Sequence, residues 1–290
     1  MGLKKQLMAR VLILLFVLTL LSCEDTSPPP ALRDAVQSPQ IRFDKRSEFN
    51  RILVVDEGEM RHLRFGAEDS GNQSTISLSN PGAVPMEYIR FAMLGMLLTP
   101  QQERVLMIGL GGGTFTTLLR RHYPTLWIDA VEIDPVVVEA AKSFFSVQED
   151  SRFRIHIEDG AAFIERTRLS YDLIVLDAHT GDGIPEHLAT PKLFRAVKER
   201  LSISGVAVLN LWDQGCKEHI VEKLFRTTFP EMACIRSADG FNLILFGKAS
   251  ATIPEHADLV TAARQLTSDL GLSFDLGKAA EKLSTECPGS

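Results

Sequence analysis

The sequence predicts an α/β protein: a parallel sheet with helices on both faces, ended by an antiparallel hairpin and preceded by a small β domain. Three observations predict it. Residues 104–135 (RVLMIGLGGGTFTTLLRRHYPTLWIDAVEIDP) run from an apolar segment through a glycine cluster and a helical segment into a second apolar segment closing on Glu132 and Asp134. Short apolar runs and amphipathic segments then alternate as far as residue 211. Finally, Ala238-Asp239-Gly240 separates two apolar runs, and Asp-Gly between such runs is a hairpin signal.

Each element has its own justification. Residues 41–80 are short and β-like: 51–56 (RILVVD), a turn at Glu57-Gly58-Glu59, then 61–65 and 74–79 (STISLS) predict a meander. Residues 85–98 carry apolar side chains at helical spacing. Strands are expected at 105–109, 127–133, 153–157, 173–177 and 206–211, where almost wholly apolar runs indicate burial on both faces. Helices are expected near 114–121, 135–145, 161–166, 191–201 and 216–228, and residues 234–237 and 241–246 supply the hairpin. Residues 253–290 read as one helix plus a loose tail. The expected division is a small β domain over 41–84, a nucleotide-binding domain over 85–250 and a C-terminal segment over 251–290.

The N-terminus has a separate logic. Lys4, Lys5 and Arg10 precede an unbroken apolar run, residues 11–21, followed by Ser22-Cys23. The run is short for a membrane span and fits the apolar core of a secretory signal. Leu20-Leu21-Ser22-Cys23 resembles a bacterial lipobox, so residues 1–22 are expected to be removed and Cys23 lipidated. Residues 23–40, rich in proline and poor in large apolar side chains, then form a disordered tether. This predicts a membrane-anchored lipoprotein of the bacterial cell envelope; without the signal the chain would be cytoplasmic. Cys216, Cys234 and Cys287 lack metal-ligand spacing, so no metal is expected. In an exported chain Cys216 and Cys234 are available to pair, but buried free thiols are the expectation. A formal charge of −6 and no basic stripe interleaved with aromatics exclude a general nucleic-acid binder.

Chemistry gathers at one sheet edge. A chain turning from a buried strand into a helix needs glycines for unusual φ and close ligand approach, and the helix N-terminus presents free N–H groups there. Glu132, at the tip of the next strand, is placed to accept hydrogen bonds from two ribose hydroxyls. Parallel sheets bind ligands at the carboxyl ends of their strands. Those ends carry the glycine turn, Glu132 with Asp134, Asp159, and Asp177 with His179. The closing hairpin is similar to that of S-adenosyl-nucleotide transferases with the class I methyltransferase-like (Rossmann-like) fold, and unlike dinucleotide dehydrogenases.

Residues 49–248 resemble the spermidine/spermine synthase (polyamine aminopropyltransferase) family. The matching motifs are Gln73-Ser74, Glu87-Tyr88, the glycine loop 108–113, Val131-Glu132-Ile133-Asp134, Glu158-Asp159-Gly160-Ala161 and 171–178 (YDLIVLDA). The resemblance implies that Gln73, Gly109, Gly111, Gly113, Glu132 and Asp134 hold the nucleoside of S-adenosylmethionine or its decarboxylated form. It further implies that Asp159, Gly160 and Ala161 meet the adenine and that Asp177 is the catalytic acid of an Asp-rich loop. A carboxylate there attracts a protonated amine and accepts its proton before the nitrogen attacks the carbon on S⁺. The implied partner is a small-molecule amine acceptor, with a homodimer left open.

Some positions depart from the family pattern. Thr114 stands where the family's glycine loop carries an aspartate that meets the co-substrate amine. Thr180 replaces a second catalytic-loop aspartate, for which Asp182 is the available substitute; His179 could serve as a base. Arg90-Phe91 aligns with a family Tyr-His pair and would set a cation where the polyamine is expected. The expected activity is therefore aminopropyl transfer, with methyl transfer and a non-catalytic envelope binding protein as the alternatives.

Overall fold

The computed structural model describes residues 38–180, 183–212, 216–250 and 252–287, with the side chains of Cys216 and Lys217 excepted. The expected signal, the expected lipidation site Cys23, nearly all of the expected tether and Asp182 lie outside the described residues.

The first four strands, β1 (Gln40–Arg46), β2 (Arg51–Glu57), β3 (Met60–Phe65) and β4 (Asn72–Ser77), form an antiparallel meander in that order. The sequence pattern showed three of them. β1, QIRFDKR, is exposed at every position but Phe43 and pairs with β2 through its backbone, so it leaves no apolar signature. Two short helices follow, α1 (Glu87–Ala92) and α2 (Leu94–Leu97), in place of one expected helix.

The alternation then unfolds as expected: β5 (Arg104–Ile108), α3 (Thr114–His122), β6 (Trp127–Glu132), α4 (Pro135–Phe144), β7 (Phe153–Ile157), α5 (Gly160–Arg166), β8 (Tyr171–Leu176), α6 (Pro191–Arg200) and β9 (Leu201–Trp212). After α7 (Cys216–Thr228) come the hairpin strands β10 (Met232–Arg236) and β11 (Asn242–Lys248), then α8 (His256–Leu270) and α9 (Leu276–Glu281). The seven-stranded sheet has the order β10-β11-β9-β8-β5-β6-β7. Strands β9 to β7 run parallel, while β11 lies antiparallel to both β9 and β10.

Burial on both faces explains the apolar strands. β8, YDLIVL, is buried at every position. Along β5, Val105 and Met107 enter one core with residues of α1, α2, α3, α8 and α9, while Leu106 and Ile108 enter the other with α5, α6 and α7. That alternation is the period of two of a strand. A third cluster joins Ile52, Val54 and Leu63 of the meander to Val136, Val137 and Ala140 of α4, seating the small sheet beside the carboxyl edge of β6.

Two expectations are corrected at the C-terminus. Cys234 does not pair with Cys216 and is not a free thiol; it forms a disulfide with Cys287, 53 residues away. Nor is the tail loose through Cys287. Leu276, Ala279, Ala280 and Leu283 are buried, and Ser284 exchanges backbone hydrogen bonds with Cys234. A helix as short as α9 leaves too few turns for its periodicity to be read from sequence.

Candidate active site

The sheet order reverses at β5, whose neighbours β6 and β8 leave their connections on opposite sides. Open α/β sheets bind ligands outside the carboxyl ends of strands at such a switch point. Here the chain turns from β5 into α3 through Gly109-Leu110-Gly111-Gly112-Gly113. Gly109 has φ +92°, and a Cβ there would lie 2.4 Å from the carbonyl oxygen of Asp177. Glycine is required at that point both for backbone angle and for the closeness of β5 and β8.

The loop is held from two sides. Glu132, at the end of β6, accepts from the N–H groups of Leu110 (3.0 Å), Gly111 (3.4 Å) and Asp134 (3.1 Å). Burial pushes its carboxyl above the ordinary value of 4.5, and these three N–H groups partly offset the shift. From the meander, Ser74 accepts the N–H of Gly112 at 2.8 Å.

Beyond the loop opens a cavity of about 920 Å³. Gln73, Gly109, Gly111 and Gly160 reach its wall. The carboxylates on the wall are those of Glu48, Glu132, Asp134, Asp159, Asp177 and Asp239, and among the described lining residues there is no lysine or arginine. Two of these acids also build local structure. Asp134 caps α4 by accepting from Val136 N–H at 2.8 Å and takes a further bond from Ser47. Asp159 caps α5 through Ala162 N–H (2.8 Å), and its second oxygen lies 2.7 Å from His187 Nε2. Gly113 and Ala161, expected to bind the nucleoside, do not line the cavity: Gly113 caps α3 with φ +65°, and Ala161 packs against the core beneath.

Asp177, just past β8, is the centre of a polar network. Asn210 donates to Asp177 Oδ1 at 2.7 Å, and Asn242 donates to Asn210 Oδ1 at 2.9 Å. The Tyr88 hydroxyl, from α1, also hydrogen-bonds Asp177; burial first and the neighbouring carboxylate second hold its pKa well above the ordinary tyrosine value. His179 Nδ1 lies 3.4 Å from Asp177 Oδ1. Its ring stacks on Trp212 at 4.4 Å and 4°, and Trp212 meets Phe241 at 5.5 Å. The result is an anionic floor with an aromatic wall, suited to a cation on an alkyl chain.

Two departures take a different meaning here. Arg90 does not line the cavity; its guanidinium donates to Pro85 O at 3.2 Å, and Tyr88 from the same helix is the residue that reaches Asp177. The expected cation in the acceptor site is therefore not there. Thr114 also lies off the cavity wall, its Oγ1 buried with no hydrogen-bond partner among the described residues, so the loop faces the ligand edge with backbone rather than with that side chain. Thr180 is engaged in its own turn, Oγ1 donating to Gly183 O at 3.1 Å. Sequence reading missed Asn210, Asn242, Trp212 and Phe241. One signal was available: Asn210 is the lone polar side chain in the otherwise apolar run VAVLNLW of β9.

This architecture is that of the class I methyltransferase-like folds, with the site on the carboxyl edge. Residues 88–237, more than half of the chain, match the model of the spermine/spermidine synthase domain. The chain belongs to the spermine/spermidine synthase family, a family of transferases. A polyamine aminopropyltransferase of Vibrio vulnificus is 35% identical over 196 residues, covering 66% of this chain and 66% of that one. Human methyltransferase-like protein 13 in complex with SAH is 28% identical with a TM-score of 0.59, covering 64% of this chain and 93% of that one. Spermidine synthase from Thermotoga maritima, at 18% identity, shares the fold with a TM-score of 0.67 over 84% of this chain and 85% of that one.

Proposed function

We propose that this protein transfers an aminopropyl group from decarboxylated S-adenosylmethionine to a small amine. The observation that carries this reading is the cavity wall, with its six carboxylates and no lysine or arginine among the described lining residues. Both reactants are cations, a sulfonium and an ammonium, and such a wall favours them over anionic ligands. The co-substrate supplies a carbon made electrophilic by its bond to S⁺. Glu132, which lines the cavity from the tip of β6, is the residue that would hold the ribose. Gly109 and Gly111 leave the backbone bare for the nucleoside to approach. Asp177 would hold the acceptor ammonium, and Tyr88, Trp212 and Phe241 would bound its alkyl chain. Catalysis then rests on aligning nitrogen, carbon and sulfur, which is a matter of positioning.

Methyl transfer from intact S-adenosylmethionine is the second reading, favoured by the likeness to human methyltransferase-like protein 13 in complex with SAH. Titrating purified protein with both nucleosides and weighing the product of an amine reaction separates the two. We expect a product heavier by an aminopropyl group; a methyl adduct selects the second reading, and failure to bind either nucleoside overturns both.

We further propose that the chain is a lipoprotein of the cell envelope. The lipobox-like Leu20-Leu21-Ser22-Cys23 supports this, and so does the Cys234–Cys287 disulfide, because such bonds persist in oxidising compartments. In cells fed a labelled fatty acid, the full chain should carry label and its Cys23→Ala variant none. Label surviving that substitution would defeat the assignment.

A further inference from the structure

The sheet carries a second concave site, away from the catalytic cavity. Arg104 and Trp127 open β5 and β6, at the strand ends opposite to Gly109 and Glu132. Arg104 is in register with Trp127, and Asp129 with Arg154 of β7, so the period of two sets these side chains on one face. α5 covers that face but is only seven residues long, about 10 Å, and ends at Arg166. A pocket of about 230 Å³ remains beside its last turn, with Arg104, Arg152, Arg154 and Arg166 on the wall. Trp127, Phe163 and Leu169 supply apolar surface between them.

The four guanidiniums differ in what holds them. Those of Arg152 and Arg104 lie over the Trp127 ring, 4.9 and 5.5 Å from its centre. Stacking uses the face of a guanidinium and leaves its in-plane N–H groups for acceptors, of which Arg152 gives one to Thr125 O at 3.0 Å. Arg166 pairs with Glu158, beyond the wall. Arg154 is exposed and has no ion pair or side-chain hydrogen bond among the described residues. The one carboxylate among the described lining residues, Asp129, is buried and engaged: it accepts from the Tyr171 hydroxyl at 3.1 Å and lies 2.8 Å from His156 Nε2 and 3.9 Å from Arg104. Setting Asp129 and Glu158 against the four guanidiniums leaves two positive charges, in a protein whose formal charge is −6.

We propose that this pocket binds a phosphate monoester, its oxygens on the guanidiniums and its organic group against Trp127, Phe163 and Leu169. A monoester carries close to two negative charges at neutral pH, which matches the two left over, and guanidinium forks fit phosphate oxygens. The catalytic cavity has the opposite wall, six carboxylates and no lysine or arginine among its described lining residues, so the two sites sort ligands by sign. This site stands independently of the transferase reading.

Trp127 and Trp212 are the two tryptophans of the chain, one in each site. Indole N–H peaks of ¹⁵N-tryptophan-labelled protein, assigned with a Trp212→Phe sample, therefore report on both. Phenyl phosphate should shift the Trp127 peak saturably and leave that of Trp212 in place, while phenol shifts neither. Arg154→Gln, at an exposed side chain, should weaken that binding about tenfold. Vesicles of phosphatidylcholine with and without phosphatidic acid show whether the monoester is a lipid headgroup. Sedimentation only with phosphatidic acid, lost in Arg154→Gln, assigns a lipid, and a Trp127 shift without sedimentation assigns a soluble phosphate. Neither response in the wild-type protein, or a response unchanged in Arg154→Gln, overturns the proposal.

Discussion

Asp177→Asn should lower turnover about 10³-fold while nucleoside affinity stays within about threefold. Asparagine matches aspartate in shape, so the packing past β8 is kept and the lost quantity is charge. Asp177 is the carboxylate on which Tyr88, Asn210 and His179 converge. Without its charge, an ammonium is no longer attracted to that end of the cavity. The side proposed for the nucleoside, Glu132 with the glycine loop, is untouched. Single-turnover rates and equilibrium titrations on one preparation give both values. Turnover retained within about tenfold would take Asp177 out of the chemistry.

Gly109→Ala should destabilise the fold by about 2–5 kcal/mol. About 1–2 of this comes from a side chain in the left-handed region and about 1–3 from overpacking. The methyl would meet the carbonyl oxygen of Asp177 at 2.4 Å, its carbon at 2.7 Å and Ala178 Cα at 2.9 Å. All three are backbone atoms, so no rotamer change relieves the contact. Either β5 and β8 part at their carboxyl ends or the loop shifts, and the two halves of the cavity separate. Thermal melts should fall by about 10 °C. Gly58→Ala is the control, since Gly58 has φ +58° but open space around its would-be Cβ, and it should cost about 1–2 kcal/mol. A Gly109 variant no less stable than the Gly58 variant would remove the close approach as the reason for glycine.

The parts of the fold that were legible share a cause. Strands β5, β6, β8 and β9 lie in the middle of a sheet covered on both faces, so they read as continuous apolar runs; the hairpin announced itself through its Asp-Gly turn. β1 did not, because an edge strand on a solvated sheet is held by backbone bonds that any side chains permit. In the site, the acids were legible because a parallel sheet brings strand ends together by topology. What could not be read was which residues from distant segments meet. Asn210 and Asn242 bond across neighbouring strands, and Cys234 finds Cys287, through pairings that leave no local period. Motif matching misled at Arg90 for a related reason: aligned position says nothing about which side of a helix faces the ligand. Tyr88 faces it, two residues from Arg90.

The position of β11 has a consequence in time. Among the described residues it is the last strand to be made, yet it lies inside the sheet, between β9 and β10. Phe241 and Asn242, which lead into it, supply part of the aromatic wall and the outer member of the amide chain that ends on Asp177. A growing chain therefore carries its glycine loop and its acids long before it carries a closed acceptor pocket. Pairings between segments far apart in sequence form late in folding. If the chain is exported unfolded, as proposed above, that order of events reserves the finished catalyst for the far side.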